Sequence, residues 1–137
     1  MGQLTRYLAA YAGAATAFIF LDAIWLSQTN ERFYRPLLGQ ILIEGVRWAP
    51  AICFYIIYLS GVTLFAIHPA LRVRRWIIAT RLGAAFGFVA YATYDLTNQA
   101  TLITWPIQIT LMDLAWGTFV TAAGATAGFL AANRVQR

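Results

Sequence analysis

Four long apolar stretches alternate with short polar segments along the whole chain. Each stretch reaches the roughly 20 residues that an α-helix needs to cross a lipid bilayer. The pattern predicts an all-α integral membrane protein, in which four transmembrane helices form a compact bundle. The predicted spans are residues 7–28, 48–68, 76–98 and 107–132, and together they form one domain over residues 1–137.

The polar segment after the first span has a helical pattern of its own. Gln40, Glu44 and Arg47 recur at helical spacing, and apolar residues occupy the positions between them. A short helix with this pattern lies in the plane of the membrane interface rather than crossing it. We therefore predict an amphipathic interfacial helix over residues 37–47.

Proline and glycine positions predict where the spans end and how they pack. Pro69, directly after His68, is expected to end the second span, because proline removes a backbone donor from a helix. Gly83-x-x-x-Gly87 and Gly124-x-x-x-Gly128 have the spacing that lets two membrane helices approach closely. The third and fourth spans are therefore expected to be packing helices.

Composition supports the membrane assignment and argues against several other classes. Hydrophobic residues make up 61% of the chain and charged residues 11%, against roughly 25% charged residues in soluble proteins. The net charge is +5, but no basic patch interleaved with aromatic residues indicates nucleic-acid binding. A single cysteine, Cys53, excludes a disulfide framework and a thiolate metal site.

The distribution of arginine predicts the orientation. Basic residues are concentrated on the cytoplasmic side of membrane proteins. The amino-terminal leader, the loop between the second and third spans and the carboxyl-terminal tail hold Arg6, Arg72, Arg74, Arg75, Arg134 and Arg137. The opposite side holds Arg32, Arg35 and Arg47. Both termini are therefore predicted to be cytoplasmic.

Three aspartates are predicted to lie in one layer of the membrane. Asp22 and Asp95 come near the ends of the first and third spans, and Asp113 comes early in the fourth. At about 1.5 Å of rise per residue, each lies within roughly 10 Å of the outer end of its helix. A carboxylate at the edge of hydrocarbon costs a few kcal/mol unless it is compensated. We therefore predict that the three acids face one shared pocket and are the candidate catalytic residues.

Aromatic and amide side chains accompany these acids. Trp25, Asn98 and Trp116 each follow an aspartate by one helical turn, and Tyr55 and Tyr58 occupy a comparable depth in the second span. The candidate ligand-binding residues are Trp25, Tyr34, Tyr55, Tyr58, Tyr94, Asn98 and Trp116. A pocket of this kind suits an amphipathic ligand, with its polar head on the acids and its tail between helices.

Several chemistries remain open for such a pocket. Carboxyl groups in apolar surroundings hold protons more tightly and can act as general acids or bases. The same oxygens suit a hard divalent cation, whereas no second histidine or cysteine supports a softer metal. Alternatively, the acids only bond across helices while the tryptophans and tyrosines anchor the protein at the interface. No metal or cofactor is assigned from the sequence.

The stretch from Tyr94 to Leu102, followed by Trp105-Pro106, resembles a family of small bacterial membrane proteins catalogued as domain of unknown function 2177. The segments Leu21-Asp22-x-x-Trp25-Leu26, Phe54-Tyr55-x-x-Tyr58 and Asp113-x-x-Trp116-Gly117 are similar to that family in the same order. The resemblance covers essentially the whole chain and implies a four-span protein of the bacterial inner membrane. It supplies no catalytic residue.

The resemblance also carries an association. Genes of that family often lie near genes for enzymes that resemble cyclopropane fatty acid synthases and flavin oxidoreductases. We therefore predict a protein that contacts membrane lipids and binds or modifies a lipid-like molecule. The alternatives are a small carrier or proton-coupled permeation unit, and an accessory subunit of a membrane enzyme complex. Either can involve a homo-oligomer or an enzyme partner.

Overall fold

The computed structural model describes residues 2–135, and all regular secondary structure in that part of the chain is helical. Four helices are long and apolar enough to cross a membrane: α1 Gln3–Leu38, α2 Trp48–Val73, α3 Trp76–Thr101 and α4 Ile107–Arg134. The predicted four-helix membrane fold is therefore confirmed. Arg137, which was counted in the predicted cytoplasmic tail, lies outside the described residues.

Helix α4 lies between α1 and α3 and carries the largest set of buried residues. Glycines let it approach both neighbours. A methyl group added at Gly87 of α3 would overlap the carbonyl oxygen of Gly117 on α4. One added at Gly128 of α4 would come within 2.6 Å of the carbonyl oxygen of Ala10 on α1. The two glycine spacings seen in the sequence are therefore packing contacts, as expected.

The half of the bundle away from the three aspartates is closed by apolar side chains. Helix α2 contributes Val62 and Ile67 to this core, α1 contributes Phe18, and α4 contributes Val120 and Phe129. All of these side chains are buried. This half of the bundle is therefore a packed core, and the polar side chains at the other end lie above it.

Helices α1 and α2 both continue through a proline by widening into a π turn. The turn Asn30–Tyr34 precedes Pro36, and Thr63–Ile67 precedes Pro69. In each turn the residue before the proline donates its backbone N–H to the carbonyl five residues earlier. A proline ring in an unbroken α-helix clashes with the carbonyl four residues earlier, and the wider turn relieves that clash.

The prediction that the second span ends at His68-Pro69 was therefore wrong. Helix α2 continues to Val73. It ends where Arg74 adopts a left-handed conformation, with φ of 55°, and donates its backbone N–H to the carbonyl of Ala70. The connection to α3 is only two residues long.

The predicted interfacial helix over residues 37–47 was also wrong. Only Leu37 and Leu38 of this segment are helical, as the end of α1, and residues 39–47 form an exposed turn and irregular loop. Gly45 has φ of +81°, which a continuous right-handed helix cannot contain. Gly39 and Gly45 also lower the helix propensity by about 1 kcal/mol each relative to alanine. Because of these costs, a segment this short does not form an independent helix.

Candidate functional site

Asp22 is held between two other helices by hydrogen bonds from aromatic side chains. The hydroxyl of Tyr55 on α2 donates to Asp22 Oδ2 at 2.6 Å, and Trp116 Nε1 on α4 donates to Oδ1 at 3.3 Å. Each carboxylate oxygen of this half-buried acid therefore has one neutral donor. The arrangement fixes Asp22 without any positive charge.

Asp113 is held by a second pair of aromatic side chains. The hydroxyl of Tyr34 donates a short hydrogen bond to Asp113 Oδ1, and Trp25 Nε1 donates to the Tyr34 hydroxyl at 3.1 Å. The rings of Trp25 and Trp116 stack with centroids 4.4 Å apart and planes inclined by 7°. This stack joins the hydrogen bonds of Asp22 and Asp113 into one network across α1, α2 and α4.

Asp95 is the least compensated polar group of the site. Its side chain is 0% exposed, and neither carboxylate oxygen accepts a hydrogen bond. Its carboxyl group lies within hydrogen-bonding reach of the buried Asp113 carboxyl group. Two carboxylates at such a distance repel each other unless a proton lies between them. Within residues 2–135, no arginine or histidine forms a salt bridge with any of the three aspartates.

Two cavities adjoin Asp113, and Asp95 lines neither of them. The first, here called the polar cavity, has a volume of about 310 Å³ and lies mainly between α1, α3 and α4. The second, here called the aromatic cavity, has a volume of about 300 Å³ and is lined by Phe54, Tyr58, Ala90, Tyr91, Tyr94 and Asp113. Tyr91, Tyr94 and Asp113 line both. Both volumes are at the lower end of the range for ligand pockets.

The site lies close to one end of the three spans that build the aromatic cavity. Asp113 is six residues after Ile107, Asp95 is six residues before Thr101, and Phe54 is six residues after Trp48. At 1.5 Å per residue, each is about 9 Å from the helix end. Phe54 is 44% exposed and Tyr94 59% exposed, so the aromatic cavity reaches the outer surface of the bundle.

A glycine on α4 makes room for the central tyrosine of the site. A methyl group added at Gly117 would overlap the ring of Tyr91. The Tyr91 ring meets that of Tyr58 edge-on, with centroids 6.4 Å apart. The Tyr58 hydroxyl in turn bonds the hydroxyl of Thr121 at 2.7 Å. These contacts separate the acid pair from the apolar core below it.

The structure brings most of the predicted site residues together. Asp22, Trp25, Tyr34, Tyr55, Asp113 and Trp116 form the hydrogen-bonded network, while Tyr58 and Tyr94 line the aromatic cavity. Asp95 and Asn98 differ from the expectation. Asp22 and Asp113 share the polar cavity, but Asp95 is enclosed and lines neither cavity. Asn98 does not hydrogen-bond Asp95 and lines neither cavity either. Trp116 bonds Asp22 of α1, and Trp25 bonds Tyr34 further along its own helix, so the acid one turn before each tryptophan is not its partner.

Sequence reasoning missed Tyr91, Trp105 and the contact between Thr110 and Gln99. Tyr91 precedes Asp95 by one helical turn, which is a signal that the two share a face. Trp105 lines the polar cavity and donates through Nε1 to the Thr110 hydroxyl at 3.2 Å. That hydroxyl donates to Gln99 Oε1 at 2.8 Å, which ties the end of α3 to the start of α4. No sequence pattern indicates this last contact.

The chemistry available here is acid–base chemistry and hydrogen bonding. The polar cavity is lined by two carboxyl groups, phenols and indoles, and no cysteine, histidine or arginine lines it. In the part of the chain that the structure describes, no group of three histidine, cysteine, aspartate or glutamate side chains could hold a metal ion. The carboxyl groups can accept hydrogen bonds or a positive charge from a bound molecule.

The fold and this site define a multi-pass helical membrane protein with a carboxyl–aromatic cavity near one end of the bundle. The chain belongs to the family described as "Predicted membrane protein (DUF2177)", whose model matches residues 7–130. This confirms the resemblance seen in the sequence. Comparison with curated proteins and with solved structures gave no match.

Proposed function

We propose that this protein binds a lipid-like amphipathic molecule from the membrane. The observation that carries the proposal is that the polar and aromatic cavities meet at Asp113. A single molecule can therefore place its polar head beside the carboxyl groups and its apolar part among the aromatic rings.

The aromatic cavity supports the apolar half of this proposal. Phe54, Tyr58 and Ala90 line it together with the residues shared with the polar cavity. Burying apolar surface is worth about 25 cal/mol per Å², although a chain leaving a bilayer gains less because lipid tails are already apolar. Exposure of Phe54 and Tyr94 on the outer surface gives a hydrocarbon chain a lateral route from the membrane.

The polar cavity supports the polar half of this proposal, the binding of the head group. Tyr34, Tyr55 and the two stacked tryptophans direct their donors at Asp22 and Asp113 or at each other. The other polar groups that line the cavity include the carboxylate oxygens, which accept, and the hydroxyls of Tyr91 and Tyr94, which accept or donate. A head with hydroxyl or amine donors fits this cavity, whereas a phosphate would meet two carboxyl groups and no basic side chain.

The closed half of the bundle favours binding over passage of a polar solute. Phe18, Ile67 and Phe129 are buried below the site and pack in one apolar core. A carrier or permeation unit needs a polar path between the two membrane surfaces. The apolar core offers none in this conformation, so the carrier alternative has less support than binding.

The proposal is tested by native mass spectrometry of the protein purified in a mild nonionic detergent. We expect the unmodified protein to retain a co-purified amphiphile. Asp113→Asn should lower its occupancy by about tenfold or more, because a hydrogen bond to a charged group contributes about 1.5–3 kcal/mol. Glu44→Gln is the matched control, since it removes one negative charge from the exposed loop. Equal occupancy in all three proteins, or no adduct on the unmodified protein, would contradict the proposal.

A further inference from the structure

Among the residues that the structure describes, no positive side chain pairs with the buried acids Asp95 and Asp113. The Asp95 side chain is 0% exposed, and no donor bonds either of its carboxylate oxygens. The neighbouring carboxyl group of Asp113 is an acceptor as well. Burying a carboxylate without a partner costs several kcal/mol. Either a proton or a cation from outside the chain therefore completes this pair.

The groups that face the pair are acidic or neutral on every helix packed around it. Helix α1 contributes Asp22 and Tyr34, α2 contributes Tyr58, and α3 contributes Tyr91 and Tyr94, all of which share a cavity with Asp113. None of them carries a positive charge. The electrostatic potential at the pair is therefore negative, which attracts a cationic head and repels an anionic one.

Aromatic rings add a second preference for a cation. Trp25, Trp116, Tyr91 and Tyr94 line the same polar cavity as Asp113. The faces of tryptophan and tyrosine rings attract ammonium groups electrostatically, and more strongly when both are shielded from water. A carboxyl pair beside such rings has the features of a site for an amine.

We infer that the head of the bound molecule carries a primary ammonium group, which binds Asp113 at the wall of the cavities and displaces the proton that Asp113 shares with the enclosed Asp95. This inference rests on the proposed function. In the empty site the pair holds one proton and a net charge of −1. On binding, the proton passes to water and the ammonium group donates an N–H bond to Asp113, the member of the pair that lines the cavities. The sum of two negative charges and one positive charge is again −1, so the exchange adds no net charge to the buried site.

The test uses amphiphiles with identical dodecyl chains, added to the protein in phosphatidylcholine nanodiscs and followed by tryptophan fluorescence. We expect dodecylamine to bind saturably and about tenfold or more tightly than dodecanol, because a charge-assisted hydrogen bond is stronger than a neutral one. Dodecyl phosphate should show no saturable binding. The affinity for dodecylamine should rise about tenfold per pH unit while the pair keeps its proton, because only the deprotonated pair binds. The amine itself stays charged there, since alkylamines such as lysine titrate near pH 10.4.

Three variants separate the pair from the rest of the cavity. Asp113→Asn should reduce the dodecylamine affinity to that of dodecanol. Asp95→Asn should keep amine binding but flatten its pH dependence, because no proton remains to be shared. Glu44→Gln, on the exposed loop, should change neither quantity.

The outcomes distinguish this inference from the proposed function. Equal, pH-independent binding of dodecylamine and dodecanol would overturn the ammonium inference and leave the amphiphile site standing. Tightest binding of dodecyl phosphate would overturn it as well. If none of the three amphiphiles binds saturably, both the inference and the proposed function fail. The pH dependence is measured on the unmodified protein, so the test stands even if a variant does not fold.

Discussion

The three aspartates differ in how well the chain compensates them. Asp22 has one donor on each carboxylate oxygen, and Asp113 has one phenol donor. Asp95 has none and is fully enclosed. A polar group left in this condition within a membrane is expensive for the fold and is a mark of function. Asp95 is therefore the residue whose replacement should most clearly raise the stability of the fold while altering function.

Asp95→Asn should raise the free energy of unfolding by about 1 kcal/mol, because the amide gives Asp113 a permanent donor in place of a shared proton that must be taken from water. The measurement is thermal unfolding in detergent near neutral pH. Combined with Asp113→Asn, the change should be non-additive by about 0.5–3 kcal/mol, as for residues in contact. A smaller coupling is expected with Asp22→Asn. Additive effects for Asp95 and Asp113 would show that the two carboxyl groups do not meet.

Two tyrosines provide a matched comparison of donors. Tyr34→Phe leaves Asp113 Oδ1 without its phenol and Trp25 Nε1 without its acceptor. Leaving such groups unpaired costs about 1–3 kcal/mol each. Tyr55→Phe removes one donor from Asp22, which keeps its bond from Trp116. Tyr34→Phe should therefore lower the unfolding midpoint more. The reverse order would argue against the network described here.

Part of the site was predictable residue by residue. The depth of Asp22, Asp95 and Asp113 follows from span position, because a helix rises by a fixed distance per residue. The rotation of each helix about its own axis decides which neighbouring helix a side chain faces. Hydropathy does not determine that rotation. This is why Asn98 was expected beside Asp95, although Asp113 of α4 is the actual neighbour.

At the scale of helices, the π turn of α1 determines the composition of the site. Without it, Pro36 would end the helix, and Tyr34 would belong to a loop. With it, the helix continues to Leu38, so that Tyr34 reaches Asp113 and Leu38 lines the polar cavity. The sequence did not predict this turn, because a proline after a polar segment is more commonly a helix boundary.

The α3–α4 contact allows a test with two glycines on one helix. Gly117→Ala should lower the unfolding midpoint and displace Tyr91, since an added methyl group would overlap its ring. Gly124→Ala is the control, because its nearest neighbours would lie at 3.5 Å. That substitution should be neutral or stabilising by up to about 1 kcal/mol, given the higher helix propensity of alanine. Equal destabilisation by both would show that the tight contact at Tyr91 is not real.

At the scale of the whole molecule, polar chemistry is concentrated at one end of the bundle. The four spans and their packing glycines were predictable because length and apolar composition decide them. The loop over residues 39–47 was not predictable, because the spacing of its polar residues suggested a helix that its glycines prevent. The shared cavities were not predictable in detail, since they arise from side chains of all four helices.

The orientation predicted from arginine is tested by cysteine labelling in a Cys53→Ala background. Cysteines placed at Gly2 and Arg72 should react only from the cytoplasmic side, and one at Thr101 only from the opposite side. All three positions are exposed. Labelling of Thr101 from the cytoplasm would reverse the orientation, and the acid site would then face the cytoplasmic leaflet.

The central claim is that an amphiphile occupies the cavities beside the stacked tryptophans. Replacing Trp48 and Trp76 by phenylalanine leaves Trp25, Trp105 and Trp116, all of which line the polar cavity, as the fluorescent reporters. An amphiphile with a bromine in its chain is then titrated into the protein, because bromine quenches tryptophan at close range. Saturable quenching, lost in Asp113→Asn, is the predicted result. Quenching that rises without saturation and is unchanged by Asp113→Asn would contradict the account, because it would place the amphiphile in the bulk bilayer.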